Sequence, residues 1–174
     1  MELRLTRIND EVFVVKDQII QLDSRSIEFV KNLSIKNPRG RARICAHKSP
    51  EDSLHEMIIA IRSDSYIRPH RHKNKVESFH LLESEADVVI LSDEGEIEKI
   101  IRLGHENNFF YRLETPRYHT LIIHSDVLVI HEITNGPFDA EASEFASFSP
   151  SEQSDGVVQY IETLKEKVSL YQRL

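Results

Sequence analysis

The stretch Tyr66-Ile67-Arg68-Pro69-His70-Arg71-His72-Lys73-Asn74-Lys75-Val76-Glu77 holds the residues best suited to chemistry. Alternate side chains of an extended strand share a face, so His70 and His72 point the same way. Glu77 returns to that face after a short turn. Two imidazoles and a carboxylate are suitable ligands for iron, manganese, cobalt, nickel or zinc, and a site left with open positions binds substrate or water. A fourth ligand has to come from a distant strand, and the best candidate is His119 in Glu114-Thr115-Pro116-Arg117-Tyr118-His119. A bare His-x-His pair also decorates the solvent face of ordinary strands. The metal reading therefore rests on Glu77 and the downstream histidine together with the pair.

Other residues are candidates for acid/base work or substrate binding. His131 and Glu132 follow the apolar run Val127-Leu128-Val129-Ile130. One of the two must face inward, where a titratable group without a partner is costly. His131 is the first candidate for an inner acid/base, with Glu132 its rival. Arg41, Arg43 and Arg68 belong to a basic cluster with Arg39 and Arg71, and guanidinium groups grip phosphate or carboxylate in a two-pronged fashion. A solvated strand edge explains the cluster equally well. Tyr111 and Tyr118 are candidate pocket walls or proton donors, although half-buried strand aromatics are the plainer reading. His80 lies on the strand face opposite Glu77 and reads as a packing histidine, and Cys45 reads as a small core residue rather than a nucleophile. His47 and His55 are expected on sheet faces or rims, and His105 and His124 in exposed loops.

These residues must be positioned by short strands. Segments Arg41–His47, Leu54–Arg62, Glu77–Glu83, Asp87–Ser92, Ile97–Leu103, Phe109–Leu113, His119–His124 and Val127–Ile133 read as β, with no helical pattern among them, which predicts a sandwich or barrel. Asp93-Glu94-Gly95 reads as a hairpin turn, Gly95 supplying a positive φ. A helix is expected over Ser24–Leu33, capped by Ser24 or Ser26 and stopped before Asn37-Pro38. Val157, Ile161, Leu164, Val168 and Tyr171 form the apolar stripe of a second helix, which packs on the barrel in the plainer reading and forms a dimer seam in the other. Phe145–Pro150 is expected to lie irregularly across the barrel surface.

The whole string of segments resembles the cupin superfamily, and within it the WbuC-type cupin-fold metalloproteins. The matching pieces are Pro38–His47, Tyr66–His72, Glu77–Glu83, Tyr111-Arg112-Leu113, Tyr118-His119-Thr120, and His131-Glu132 followed by Gly136–Asp139, over roughly residues 22 to 152. The resemblance implies an all-β double-stranded β-helix (jelly-roll) barrel holding one divalent metal through His70, His72, Glu77 and His119. It divides the chain into an extension (1–37), the barrel (38–139) and a carboxy-terminal segment with its helix (140–174). It also implies bacterial surface-polysaccharide chemistry. The sequence departs from the general cupin pattern at three glycine positions, held here by Asp64, Ser84 and Pro116, and Glu114 stands where proline is usual.

Composition narrows the functional classes. The 174 residues carry a net charge of -7, which disfavours nonspecific attraction to nucleic acid or anionic membrane. The longest apolar runs, such as Met57–Ile61, are far shorter than the roughly 20 residues of a membrane span. One cysteine forbids an internal disulfide. With no secretory layout at Met1–Leu5, a cytoplasmic location is expected. Glycine-rich phosphate loops and a GxSxG elbow are absent from the sequence. The expectation is a homodimeric, metal-loaded protein acting on a small polar molecule, an activated sugar or its derivative, by metal-assisted isomerisation or epimerisation. An iron-dependent dioxygenase and a noncatalytic sugar- or metal-binding module are the alternatives.

Overall fold

The computed structural model describes residues 4–173, so Met1–Leu3 of the amino-terminal reading lie outside it. In chain order the elements are β1 (Leu5–Arg7), β2 (Val12–Val15), α1 (Ser24–Lys36), β3 (Arg41–Cys45), β4 (Leu54–Arg62), β5 (His70–His72), β6 (Glu77–Glu83), β7 (Ala86–Leu91), β8 (Ile97–Leu103), β9 (Phe110–Leu113), β10 (Tyr118–Ile123), β11 (Val127–Asn135), β12 (Ser143–Phe145) and α2 (Val157–Tyr171). They form a seven-stranded sheet ordered β1-β2-β3-β4-β11-β6-β9 and a five-stranded sheet ordered β12-β5-β10-β7-β8. Strands distant in sequence are thus neighbours, as a jelly roll requires.

The sheets face each other across a core that includes Met57, Ile59, Phe79, Val88, Ile90, Leu128 and Ile130. Each sheet also buries its outer face. Val30 of α1 packs with Ala42, Ile44, Ala60 and Val129 on the larger sheet, and Leu164 and Val168 of α2 pack with Val89, Leu91, Tyr118 and Ile122 on the smaller. Strands covered on both faces lose polar alternation, which is why β7, Ala-Asp-Val-Val-Ile-Leu, is buried throughout. The α2 stripe is thus used against the barrel.

Two local expectations need correction. The first helix runs three residues past Leu33, and its cap is Asp23 rather than Ser24 or Ser26. The Asp23 carboxylate accepts from the Arg25 and Ser26 N–H groups, while the Ser26 hydroxyl accepts from the Asp23 N–H. This reciprocal pair satisfies donors that a serine at 24 would have left open. Of the crossing expected over Phe145–Pro150, residues 146–150 are irregular as expected, but Phe145 ends a short strand with Ser143 and Glu144, because their backbone completes the open edge of β5. Ser84, at one of the three glycine positions, takes φ +80°. Its hydroxyl donates to the Val127 carbonyl at 2.7 Å, so the left-handed turn survives without glycine.

Gly136 marks a close approach. A Cβ there would lie 1.9 Å from the Asp52 carbonyl oxygen and 2.7 Å from His55 Nε2. Backbone cannot retreat as a side chain can, so Gly136→Ala is expected to cost about 3 kcal/mol and lower the melting temperature by roughly 10 °C. A thermal melt followed by circular dichroism checks it.

Candidate metal centre

The strand register assembles the site from both sheets. On the smaller sheet, β10 pairs with β5 so that His119 lies opposite His70, and β5 presents His72 on the same face. On the larger sheet, β6 begins with Glu77. One donor atom each from His70, His72, Glu77 and His119 lies within 4.8 Å of the others, so the four form a cluster that could hold a metal ion.

The hydrogen bonds behind the cluster show where the lone pairs point. His70 Nδ1 donates to the Arg68 carbonyl at 2.9 Å, and His119 Nδ1 donates to the Arg117 carbonyl at 3.0 Å. A carbonyl only accepts, so each neutral ring carries its proton on Nδ1 and leaves Nε2 bare. His72 Nδ1 lies 3.0 Å from Ser143 Oγ. Within the cluster His72 Nε2 is 3.1 Å from Glu77 Oε2. His119 Nε2 and Glu77 Oε1 are 3.2 Å apart, buried, and without hydrogen-bond alignment. The donors converge on a shared point, and this arrangement fits a divalent cation.

In the metal-free cluster electrostatics favour the ligand form of Glu77 and His70. Burial raises the Glu77 carboxyl, but the charge of His119 and the hydrogen bond from His72 outweigh it, holding Glu77 well below the usual carboxylate range. Burial, and then the neighbouring His119, push His70 down to about 4, which keeps it neutral as a ligand must be. For His119 burial opposes protonation, yet the Glu77 charge prevails and raises it.

Ser143 was not among the residues singled out from sequence. It comes from β12, opposite His72 in the register. Ser143→Ala removes the partner that orients His72 while leaving all four ligands. Zinc affinity is expected to fall roughly tenfold, read by equilibrium dialysis.

The cluster opens on a cavity of about 550 Å³ between the sheets, whose lining also includes Arg41, Arg43, His47, His55, Lys75, Glu132 and Thr134. The register explains this company. Thr134 pairs with His55 on one side and Glu77 on the other, and Glu132 pairs with Met57 and Phe79. His47 and His55 stack with ring centroids 4.1 Å apart. Glu132 has no hydrogen-bond partner among the described residues. Burial first, and Glu77 second, push its carboxyl up to about 7. Cys45 also lines the cavity, and burial drives its thiol up to about 11, which removes it as a nucleophile.

Several sequence-predicted residues lie elsewhere. His131 is on the outer face of β11, stacked on His80 at 5.9 Å with its Nε2 3.6 Å from Glu56 Oε1, so Glu132 is the inward member of the pair. Arg68 does not reach the cavity: it donates to the Ala146 and Ser149 carbonyls and to the Ser149 hydroxyl, fastening the carboxy-terminal segment. Tyr118 faces α2, and its hydroxyl donates to Glu144 at 2.7 Å. Tyr111 lies in the core against Phe79 rather than in the cavity lining, with its hydroxyl buried and unpartnered. Arg41 lines the cavity but is engaged by Glu152 at 2.7 Å and the Tyr66 carbonyl.

Comparison with known proteins bears on the fold. A family described as a domain of unknown function (DUF6016) matches residues 22–103. No curated protein matches the chain in sequence. Among solved structures, protein SO0799 from Shewanella oneidensis is similar with a TM-score of 0.52 at 13% identity, over 72% of this chain and 85% of that one. The Schizosaccharomyces pombe Cnp3 cupin domain is similar at 0.43 and 11% identity, over 55% and 60% of the two chains. Oxalate decarboxylase from Bacillus subtilis is similar at 0.45 and 14% identity, over 55% and 24%. At these identities the likeness is one of fold and carries no activity. The strand order of its two facing sheets makes the chain an all-β double-stranded β-helix barrel, and its His/Glu cluster could hold a metal.

Proposed function

We propose that this protein is a metal-dependent isomerase or epimerase that moves a proton on a small polar substrate inside the barrel. One observation carries the reading: Glu132, a carboxylate with no hydrogen-bond partner among the described residues, faces the same cavity as the His70, His72, Glu77 and His119 cluster. Those four residues would hold one divalent ion, iron, manganese, nickel, cobalt or zinc. Such an ion supplies charge stabilisation to a substrate oxygen beside the reacting carbon. Glu132, with its carboxyl near 7, takes a proton from one carbon and delivers it to the neighbouring one, because a group titrating near the working pH serves as both base and acid. The Thr134 hydroxyl, buried without a partner, stands beside Glu77 in the register and orients a substrate hydroxyl. Ile59, Ile61 and Phe79 line the same space and keep it poor in water. The WbuC-type resemblance supports activated sugars of bacterial surface polysaccharide as the first substrates to try.

Metal-loaded protein incubated in deuterium oxide with a panel of nucleotide-sugars is expected to place one solvent deuterium on carbon and to interconvert epimers. No incorporation across the panel overturns the activated-sugar assignment. Turnover that requires O₂ replaces proton transfer with the chemistry of a dioxygenase.

A further inference from the structure

We infer that Arg43 is the anion anchor of this cavity and that the group it binds is a substrate carboxylate. The inference deepens the proposed function and rests on its reading of the cavity as a substrate site. Of the clustered arginines, four are committed elsewhere. Arg39 pairs with Glu11 and Glu152, Arg41 with Glu152, and Arg71 with Glu144 and Asp93, while Arg68 holds main-chain carbonyls. Arg43 has no oxygen partner among the described residues. Its one polar contact is a 4.0 Å approach to the Met57 sulfur, and its Nε is buried with nothing to donate to. An Nε–H shielded from water without an acceptor is costly on a half-buried guanidinium, and the cost is recovered when an anion arrives.

The position decides what kind of anion. Arg43 pairs with Ile59 of β4, one pair-step along the same face from Cys45, Met57 and Glu132. Its own N–H is given to the Glu11 carbonyl at 2.7 Å, so the strand offers no free main-chain donor there. Lys75, the other uncommitted cation of the lining, precedes β6, which lies three strand positions from β3 in the sheet, roughly 14 Å at ordinary strand spacing. Its ammonium lies 6.0 Å from the Phe138 ring. A phosphate dianion calls for several cations or a nest of N–H groups, and only one fork is present. One guanidinium matches one carboxylate, with both prongs used.

Zinc-loaded and metal-free protein, labelled with ¹⁵N, should be titrated with acetate, inorganic phosphate and chloride at matched ionic strength. The Arg43 Nε–H resonance, assigned by its loss in Arg43→Gln, is the reporter. Acetate is expected to shift it saturably in both forms, and phosphate no more than chloride. Followed through the Cys45 amide, acetate affinity is expected to fall at least roughly tenfold in Arg43→Gln and by less in Arg43→Lys, which keeps charge but loses the fork. An Arg43 resonance indifferent to acetate overturns the anchor, and phosphate binding as tightly as acetate overturns the carboxylate. Failure to bind zinc would instead strike the metal reading, because the metal-free titration tests Arg43 on its own.

Discussion

Replacing His70 and His119 together by alanine is expected to abolish metal binding: about one equivalent of a divalent transition metal in the untagged wild type and none in the variant, by elemental analysis. The two residues lie opposite each other in the β5–β10 register and contribute half of the four-donor cluster. The remaining His72 and Glu77 already hydrogen-bond each other at 3.1 Å, so without the other two they close on themselves. The thermal signature follows from mass action. Zinc at a hundredfold excess over its dissociation constant stabilises the wild type by about 2.7 kcal/mol, which is roughly 5–10 °C for a chain of this size. The variant is expected to show no such shift. Wild type that carries no metal and binds none on titration would remove the metal reading, leaving the histidines as cavity lining. The metal recovered also directs the assay, since iron calls for an oxygen-dependence test, and zinc or manganese for deuterium exchange.

Glu132→Gln is expected to act in opposite directions on activity and stability. Deuterium incorporation should fall about 10³-fold, the loss typical of a missing general base. Metal content should be unchanged, because Glu132 is not one of the four clustered donors. In metal-free protein the same variant should be more stable than wild type at pH 8. Burial and the charge of Glu77 raise this carboxyl from its ordinary 4.5 to about 7. The folded chain therefore holds a proton that the unfolded chain has released, and stability falls as pH rises through that window. Above the window the penalty is about 3 kcal/mol, and below pH 4.5 it vanishes. Glutamine carries no charge but leaves a buried amide poorly satisfied, so a net gain of about 2 kcal/mol is expected at pH 8 and none at pH 4. Urea melts at the two pH values check it. A variant no more stable than wild type at pH 8 would mean that Glu132 does not bear its charge in the cavity as described.

Much of this was legible from local pattern. Leu54–Arg62, Glu77–Glu83 and Ile97–Leu103 coincide with β4, β6 and β8 because turn residues bound them tightly. The period-two rule put His70 and His72 on one face, a short turn returned Glu77 to it, and His119 stood as the best candidate for the fourth donor before the likeness to cupins joined all four. The signal weakened where a segment's structure depends on its neighbour. Ser143–Phe145 has no strand pattern of its own and is a strand because β5 offers it an edge. Ser143, behind His72, was invisible for the same reason.

The choice between His131 and Glu132 shows the boundary most clearly. Alternation dictates that one faces in and the other out, and the sequence determines that much. Which one faces in depends on the parity of β11, and Val127–Ile130 gives no clue to parity, since α1 and the opposite sheet bury both faces of that strand. Parity is set by pairing with β4 and β6, including the irregularity between Val129 and Ile130. The arginines divide likewise. Five cations cluster in the sequence with equal claims on an anion, and four are taken up by Glu11, Glu144, Glu152, Asp93 and main-chain carbonyls that only folding brings near. Residue type and spacing determined the fold class and a set of donors that could serve a metal. Long-range strand pairing decided which carboxylate faces them and which guanidinium is left free, because those properties depend on partners far away in the chain.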